Sequence, residues 1–306
     1  MRTSIVSAAD AKYFPLLKGL VLSIIEQRSD QELEIAALDV GLSVEQIQEL
    51  QSLGVVVRNA EWDFDFPSRP TTPSWYRAMT ARCCLPKYFP EFDILIWIDA
   101  DAWLQDSRAI QLLIWGAFDG SLAIVPEFDR AYKHRIAAFA SGDNENDLRE
   151  SAYGQCVRSF GPEIGRDVGK RHVYNSGVFA LRRDSPSWQK WAHWMQIALN
   201  NGSLSLTDQN ALNAAIYKSG IPVISLPAWC NWLCNLGGTA YNLVDECFVS
   251  PELPHERISI LHVTTRQEAV TDMIINGEKI ILPRDYLEHK AAVAKFKLSH
   301  GMPVKR

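Results

Sequence analysis

The sequence lacks the features that would assign it to several other classes of protein. No run of about 18 apolar residues occurs, and the N-terminus leads straight into a strand-like segment rather than a signal peptide, so we expect a cytoplasmic protein with no transmembrane segment. The net charge of -5 comes without clustered lysine and arginine, which argues against a nucleic-acid partner.

Cysteine is scarce and shows no metal-binding pattern. The six cysteines include no Cys-x-x-Cys pair with a matching second pair, so a structural zinc site is disfavoured. Without a secretion signal, disulfides are disfavoured too. We therefore expect buried, reduced thiols with no functional role.

Two glycine-rich phosphate-binding patterns are also missing. In GPEIGRDVGKR the spacing from Gly165 to Gly169 is one residue too short for a phosphate loop, and no Ser or Thr follows Lys170. No Gly-x-Gly-x-x-Gly follows the first predicted strand, which disfavours a dinucleotide-dependent oxidoreductase. An anionic substrate would then need a metal ion or local basic residues.

What is present is an alternation of strand and helix patterns, typical of a mostly parallel sheet flanked by helices. The 47% of hydrophobic residues is ample for the core of one large α/β domain. Because we find no repeat, low-complexity tract or clear linker, we expect one domain at 1–265 with an extension, 266–306, packed on it.

The patterns predict the elements individually. The predicted strands are Ser4–Ser7, Leu33–Leu38, Val55–Val57, Asp93–Ile98, Leu122–Val125, Val178–Leu181 and Ile258–Val263. The predicted helices are Phe14–Gln27, one capped by Ser43 with Gln46 in the capping-box position, Trp75–Leu85, Pro186–Leu199 and Gln209–Lys218. The segment Asp129–Arg171 is rich in Gly, Asn, Asp and Arg and is predicted to be an irregular loop.

The most informative segment is ILIWIDADAW, from Ile94 to Trp103, in which an apolar strand pattern ends on two carboxylates. Ligands of open α/β sheets bind beyond the carboxyl ends of the strands, which is where Asp99 and Asp101 fall. Two carboxylates there offer oxygen ligands for Mn²⁺ or Mg²⁺ and leave positions for diphosphate oxygens. The sequence therefore predicts a metal ion that neutralises a leaving diphosphate.

Two alternatives remain open for this segment. Asp-x-Asp occurs by chance in many chains, where it is simply a solvated strand end. A phosphatase of the haloacid dehalogenase type would use the first Asp as nucleophile and the second as general acid. Such enzymes usually have Thr or Val where this chain has Trp103, and we find no convincing partner lysine and acidic pair downstream.

Five segments in order form a pattern more specific than any one of them. They are SIVSAADAKYFPLLKGLVLSI, ALDVGLSVEQIQEL, TARCCLPKYFPEFDILIWIDADAWL, YNSGVFAL and LTDQNALN. Together they resemble glycosyltransferase family 8, the retaining enzymes of GT-A fold that include glycogenin and bacterial lipopolysaccharide galactosyltransferases. The resemblance extends over residues 3–263 and implies the GT-A fold, a Rossmann-like, mostly parallel sheet.

The resemblance also implies roles for individual residues. The donor-binding residues would be Ala8, Asp10, Arg82, Asp99, Ala100, Asn175, Ser176 and Gly177. The metal ligands would be Asp99, Asp101 and His262, while Asp208 and Gln209 would act beside the transferred sugar. One departure is that the family's Lys-Pro-Trp after the last strand is absent from LHVTTRQEA, so Arg266 is the candidate to replace its phosphate-binding lysine.

Each of these residues has a structural alternative that the sequence leaves open. Asp10 could cap the first helix, Arg82 could form a surface ion pair, and His262 could be a buried structural histidine. Asn175 and Gly177 could form a tight turn, and Asp208 could belong to the first turn of a helix capped by Thr207.

Five of the ten tryptophans fall into two groups along the sequence. Trp188, Trp191 and Trp194 recur every three residues and are predicted to pack one helix onto the sheet. Trp229 and Trp232, in the irregular segment PAWCNWLCN, are candidates for a wall that binds the acceptor, with Asn231 as a hydrogen-bonding neighbour.

Taken together, the resemblance implies transfer of a hexose from a nucleoside diphosphate sugar, UDP-glucose or UDP-galactose, to a hydroxyl of a glycan or other acceptor. Retention of anomeric configuration and assistance by Mn²⁺ or Mg²⁺ are part of that expectation. The absent Lys-Pro-Trp element raises a second alternative, a degenerate member that binds nucleotide sugar without turnover.

Overall fold

The computed structural model describes residues 1–27, 33–133, 152–169, 171–202, 204–264, 269–273, 279–283 and 285–303. The strands are β1 (Thr3–Ala9), β2 (Leu33–Asp39), β3 (Val56–Asn59), β4 (Ile94–Ile98), β5 (Ala102–Leu104), β6 (Leu122–Pro126), β7 (Tyr174–Arg182), β8 (Val223–Ser225), β9 (Trp232–Leu233), β10 (Thr239–Asn242), β11 (Cys247–Val249), β12 (Ile260–His262), β13 (Ala269–Met273) and β14 (Lys279–Leu282).

The α-helices of these residues are α1 (Phe14–Gln27), α2 (Val44–Ser52), α3 (Arg77–Ala81), α4 (Leu85–Tyr88), α5 (Arg108–Ala117), α6 (Ala152–Gly169), α7 (Ser187–Asn200), α8 (Thr207–Ser219) and α9 (Tyr286–Ser299). Short 3₁₀ turns occur at Arg69–Thr71, Ser74–Tyr76, Arg82–Cys84 and Ala228–Cys230. None of these helices is both long and apolar enough to cross a membrane.

Seven strands form a central sheet in the order β3-β2-β1-β4-β7-β6-β8. Neighbouring strands are parallel except β7, which runs antiparallel to both β4 and β6. The predicted fold class, a mostly parallel α/β sheet flanked by helices, is confirmed. Because β7 is reversed, its first residues lie beside the last residues of β4, at the edge where parallel sheets bind ligands.

The alternation of side chains along β4 joins the sheet to two apolar cores. Ile94, Ile96 and Ile98 pack with α1 and α5 on one face, whereas Leu95 and Trp97 pack on the other face with α7 and α8. All five residues are buried, as expected of a strand covered on both sides. The prediction that the tryptophans of α7 pack this helix onto the sheet is confirmed, since Trp188, Trp191 and Trp194 are buried in the same core as Leu95 and Trp97.

Local sequence signals explain the sharpest helix boundary. At the start of α2 the Ser43 hydroxyl accepts the Gln46 N–H, and the Gln46 side chain accepts the Ser43 N–H. This reciprocal capping box, predicted from the sequence, satisfies two N–H groups that the helix itself leaves without partners.

Two predicted elements differ from the structure. The single helix expected at Trp75–Leu85 is instead divided into α3, α4 and 3₁₀ turns. Pro86 has no N–H to donate to the Arg82 carbonyl, and its ring would crowd that carbonyl in a continuous α-helix. The loop expected at Asp129–Arg171 contains α6, which is broken at Gly161 where φ is +80°; residues 134–151 lie outside the described ranges.

Two smaller sheets lie next to the central one. One, ordered β5-β12-β9, follows directly from β4 and carries His262 at the end of β12. The other, ordered β11-β10-β13-β14, leads to α9, whose Tyr286 hydroxyl and Lys290 ammonium both bond to Glu26 on α1. These contacts hold α9 against α1, which packs on the central sheet.

Candidate active site

Three potential metal ligands converge at the carboxyl end of β4. Asp99 and Asp101 follow this strand directly, and the antiparallel pairing of β12 with β5 sets His262 opposite Ala102. His262 Nε2 lies 3.3 Å from Asp101 Oδ1 and 3.6 Å from Asp99 Oδ2. Ligand atoms of the three residues all lie within 4.8 Å of one another. Two carboxylates and one imidazole form a donor set that suits Mn²⁺.

Burial and charge work against each other in this cluster. Burial raises the pKa of Asp99, with the nearby Asp101 charge adding to the effect, while Arg82 and His262 oppose it. The pKa of His262 is raised overall. Burial alone would lower this pKa, but the hydrogen bond to Asp101 and the negative charges of Asp101 and Asp99 outweigh the effect of burial. A divalent cation among these three groups would balance the two carboxylates and take the imidazole lone pair.

Arg82 links the cluster of Asp99, Asp101 and His262 to the start of α8. Its guanidinium donates to Asp99 Oδ1 at 2.5 Å and, through its other terminal nitrogen, to Asp208 Oδ2 at 2.5 Å. It also lies over the Trp97 ring, 4.9 Å from the centroid. Asp208 is only 1% exposed, so this ion pair is shielded from solvent, unlike the surface pair that the sequence allowed for Arg82.

At Gly177 the backbone comes close to Asp99 and His262. Its carbonyl accepts the Asp99 N–H at 2.8 Å. A Cβ at this position would lie 2.7 Å from Asp99 Oδ2 and 2.8 Å from Asn175 Oδ1, and would overlap the His262 ring. Only glycine fits here, which explains the Asn-Ser-Gly sequence better than a tight turn does.

Amide side chains fill the space between the candidate metal ligands and α8. Asn175 Nδ2 and the Ser176 N–H both donate to Gln209 Oε1 at 3.2 Å. Asn231 Nδ2 donates to Asn175 Oδ1 at 2.9 Å, and Asn231 Oδ1 lies 2.9 Å from His262 Nδ1. Asn175, Gln209 and His262 therefore belong to one hydrogen-bonded network.

The cluster opens onto a cavity of about 1070 Å³, comparable to sites that bind small molecules. The sequence-predicted residues that line it are Ala8, Asp10, Arg82, Asp99, Ala100, Asp101, Asn175, Ser176, Gly177, Gln209 and His262. The Asp208 carboxylate instead lies buried beneath Arg82 and Ser176, each of which donates to its Oδ2. Arg266 lies outside the described residues.

Two further structural alternatives concern residues at the starts of helices, Asp10 before α1 and Thr207 in α8. Asp10 Oδ1 accepts the Tyr13 N–H at 2.9 Å, so Asp10 supports the turn before α1 as well as lining the cavity. Thr207 does not cap α8, because the residue before the helix is Leu206, with φ of +49°, and the Thr207 hydroxyl accepts from Tyr76.

The structure does not support an acceptor wall made of Trp229 and Trp232. Trp232 is 1% exposed and packs in a core with Tyr132, and Trp229 lies under the Arg108 guanidinium. Neither ring, nor Asn231, is among the described residues that line the cavity. Both ends of the Asn231 amide are engaged, one by Asn175 and the other by His262, a member of the candidate metal cluster.

Sequence analysis missed Glu127 and Trp75, which both line the cavity. Glu127 Oε1 accepts from Asn175 Nδ2 and Gln209 Nε2 at 3.1 Å each. Glu127 directly follows β6, which runs in the same direction as β4, so the strand-end argument that identified Asp99 would also have found it. Trp75 lies in a 3₁₀ turn and is 48% exposed.

A sheet of this topology with a candidate metal-binding cluster at its ligand-binding edge is typical of a GT-A glycosyltransferase. The sequence model of Glycosyl transferase family 8 matches residues 4–242, most of the chain, and the protein belongs to this family. The resemblance inferred from the five motifs is therefore confirmed. No match was found among curated proteins.

Solved structures share the fold at low sequence identity. The galactosyltransferase LgtC, in complex with donor and acceptor sugar analogs, is 16% identical with a TM-score of 0.54, over 99% of this chain and 97% of its own. Mouse xyloside xylosyltransferase 1 is 13% identical with a TM-score of 0.50, over 86% and 97%. The bifunctional glycosyltransferase WbbM is 14% identical with a TM-score of 0.54; the match covers 87% of this chain but only 46% of WbbM.

Proposed function

We propose that the protein transfers a hexose from a nucleoside diphosphate sugar, UDP-glucose or UDP-galactose, to a hydroxyl of a glycan or other acceptor. The observation that carries the proposal is the cluster of Asp99, Asp101 and His262 on the wall of the large cavity. Family membership supports glycosyl transfer and replaces the phosphatase alternative. That an LgtC structure holds donor and acceptor sugar analogs supports a sugar acceptor.

The donor would lie along the cavity from β1 to the metal cluster. Asp99, Asp101 and His262 would hold Mn²⁺ or Mg²⁺, which supplies positive charge to the leaving diphosphate. Ala8 and Ala100, whose side chains are small, line the cavity with Asp10 and would border the nucleotide. Arg82 adds a fixed positive charge on the same wall, held in place by Asp99 and Asp208.

The amide network favours transfer on the same face of the sugar, with retention. An amide oxygen is a poor nucleophile, and Gln209 Oε1 already accepts hydrogen bonds from Asn175 Nδ2 and the Ser176 N–H, which lowers its nucleophilicity further. In the route that we propose, cleavage of the bond to the donor phosphate runs ahead of attack, and that phosphate accepts the proton of the acceptor hydroxyl. Gln209 and Asn175 would orient the sugar, and Asp208 would act by fixing Arg82 and Ser176.

Trp75 replaces Trp229 and Trp232 as the candidate acceptor platform. It lines the cavity together with Ala78 and Met79, and its neighbour Tyr76 is anchored by a 2.7 Å hydrogen bond to Thr207 at the start of α8. A half-exposed indole on a cavity wall offers an apolar face to the C–H side of a sugar ring and keeps a polar edge in water.

Incubation with UDP-glucose or UDP-galactose and Mn²⁺ tests the proposal. A transferase slowly hydrolyses its donor even without acceptor, so release of UDP that stops when Mn²⁺ is chelated is the expected result. A degenerate binding protein would be stabilised by the nucleotide sugar but release no UDP, and this outcome would contradict the proposed activity.

A further inference from the structure

Two backbone N–H groups fix the orientation of the amides beside the metal cluster. A backbone N–H can only donate a hydrogen bond. The Gly177 N–H donates to Asn175 Oδ1 at 2.9 Å, so that atom must be the amide oxygen. The Ser176 N–H donates to Gln209 Oε1 at 3.2 Å and orients that side chain in the same way.

The orientation of Asn175 determines that of Asn231. Because Asn175 presents an oxygen, Asn231 must present its Nδ2 to it, and the two atoms lie 2.9 Å apart. The Asn231 oxygen is then the atom that faces His262 Nδ1, at 2.9 Å. An amide oxygen only accepts, so Nδ1 carries the hydrogen and the lone pair of the neutral imidazole is on Nε2.

The tautomer chosen in this way is the one that a metal ion requires here. Nε2 is the ring nitrogen that faces Asp99 and Asp101. Asn231 is completely buried and His262 is 3% exposed, so solvent does not readily replace the amide oxygen as the acceptor for Nδ1. Hydrogen bonds of this kind orient metal-binding histidines and raise their basicity.

We propose that Asn231 is a positioning residue for the metal centre. Asn231 holds His262 with its Nε2 lone pair toward Asp99 and Asp101. Asn231 is itself oriented by the Gly177 N–H through Asn175. The inference rests on the metal-dependent function proposed above. It assigns the two ends of the Asn231 amide different tasks, since the oxygen serves His262 and the nitrogen serves Asn175 and, through it, Gln209.

Two substitutions separate these tasks. Asn231→Leu removes both hydrogen bonds with little change in volume, whereas Asn231→Asp keeps an acceptor for His262 and loses the donor to Asn175. Asn210→Leu is the matched control, because Asn210 is also a buried asparagine but faces Ser159 and Ser205. Mn²⁺ affinity of the free protein is measured for each variant by electron paramagnetic resonance, with no sugar present.

The expected result is that Asn231→Leu weakens Mn²⁺ binding by about 10- to 100-fold, the usual effect of removing such a partner. Asn231→Asp should bind Mn²⁺ at least as tightly as the wild type but transfer sugar more slowly, with a lower kcat. Asn210→Leu should lower the melting temperature and leave Mn²⁺ affinity unchanged.

Unchanged Mn²⁺ affinity in Asn231→Leu would overturn the proposal, and so would an equal loss in the Leu and Asp variants. If the Leu variant does not fold, weakened Mn²⁺ binding by Asn231→Asp alone overturns it. A wild-type protein that binds Mn²⁺ but transfers no sugar would contradict the proposed function and leave the assignment of Asn231 intact.

Discussion

Gly177 shows how a residue without a side chain can be essential to a site made of side chains. A methyl group there would overlap the His262 ring and lie 2.7 Å from Asp99 Oδ2, and the side chains of both neighbours are held in place by hydrogen bonds. We predict that Gly177→Ala weakens Mn²⁺ affinity by at least about tenfold, as displaced ligands do. The measurement is a Mn²⁺ titration followed by electron paramagnetic resonance.

Gly238→Ala is the control for that experiment. A Cβ at Gly238 would meet nothing within 4 Å, so this substitution should leave Mn²⁺ affinity unchanged. Equal affinities in the two alanine variants would show that the cluster does not depend on the space at position 177.

Trp75 carries a second prediction for a single residue. Replacing its indole by alanine removes the apolar platform proposed for the acceptor, and one aromatic contact contributes about 0.5–1.5 kcal/mol. Trp75→Ala should therefore raise the KM for a glycoside acceptor by roughly two- to tenfold and leave the KM for the donor unchanged. An effect confined to the donor KM would place the donor, rather than the acceptor, on this ring.

At the scale of elements, α9 carries a buried histidine with no role in the proposed chemistry. His289 packs between the rings of Trp103 and Phe248, with ring centroids 4.2 Å and 4.9 Å away, and its Nδ1 has no hydrogen-bond partner. Burial lowers the pKa of His289 to about 3. The folded protein therefore holds this ring neutral at pH values where the unfolded chain binds a proton.

The sign of the resulting pH dependence follows from proton binding. Below about pH 6.5 the unfolded state takes up a proton that the folded state does not, so the free energy of unfolding falls as pH falls, by at most about 1.4 kcal/mol per pH unit from this group. His289→Leu should flatten this decline between pH 6.5 and 4.5. Denaturant unfolding at several pH values measures the slope; a slope as steep as that of the wild type in the His289→Leu variant would contradict the prediction.

Elements with a strong local signal were predicted well, and those shaped by distant contacts were not. The apolar run of β4, the helical period of α1 and the capping box of α2 are each encoded in a few consecutive residues. The helix predicted at Trp75–Leu85 is an exception, because Pro86, a local signal just beyond it, disfavours a continuous helix through Arg82.

At the scale of the whole molecule, the sheet explains why the candidate site was only partly predictable. The rule that ligands bind at strand ends identified Asp99 and Asp101, and the family resemblance added His262. The position of Asn231 depends on β9 lying beside β12, a pairing between short strands that no local pattern indicates. The aromatic residues Trp229 and Trp232 were therefore assigned to the acceptor, although tertiary packing buries one and covers the other.

The central claim is that Asp99, Asp101 and His262 hold a cation that binds the diphosphate of the donor. Thermal unfolding of the wild type and of Asp101→Ala, with a UDP-hexose in the presence and absence of Mn²⁺, tests it most directly. A donor at 100 times its Kd stabilises the protein that binds it by about 2.7 kcal/mol. We predict a rise in the melting temperature for the wild type only when Mn²⁺ is present, and none for Asp101→Ala; an equal rise in the variant would contradict the claim.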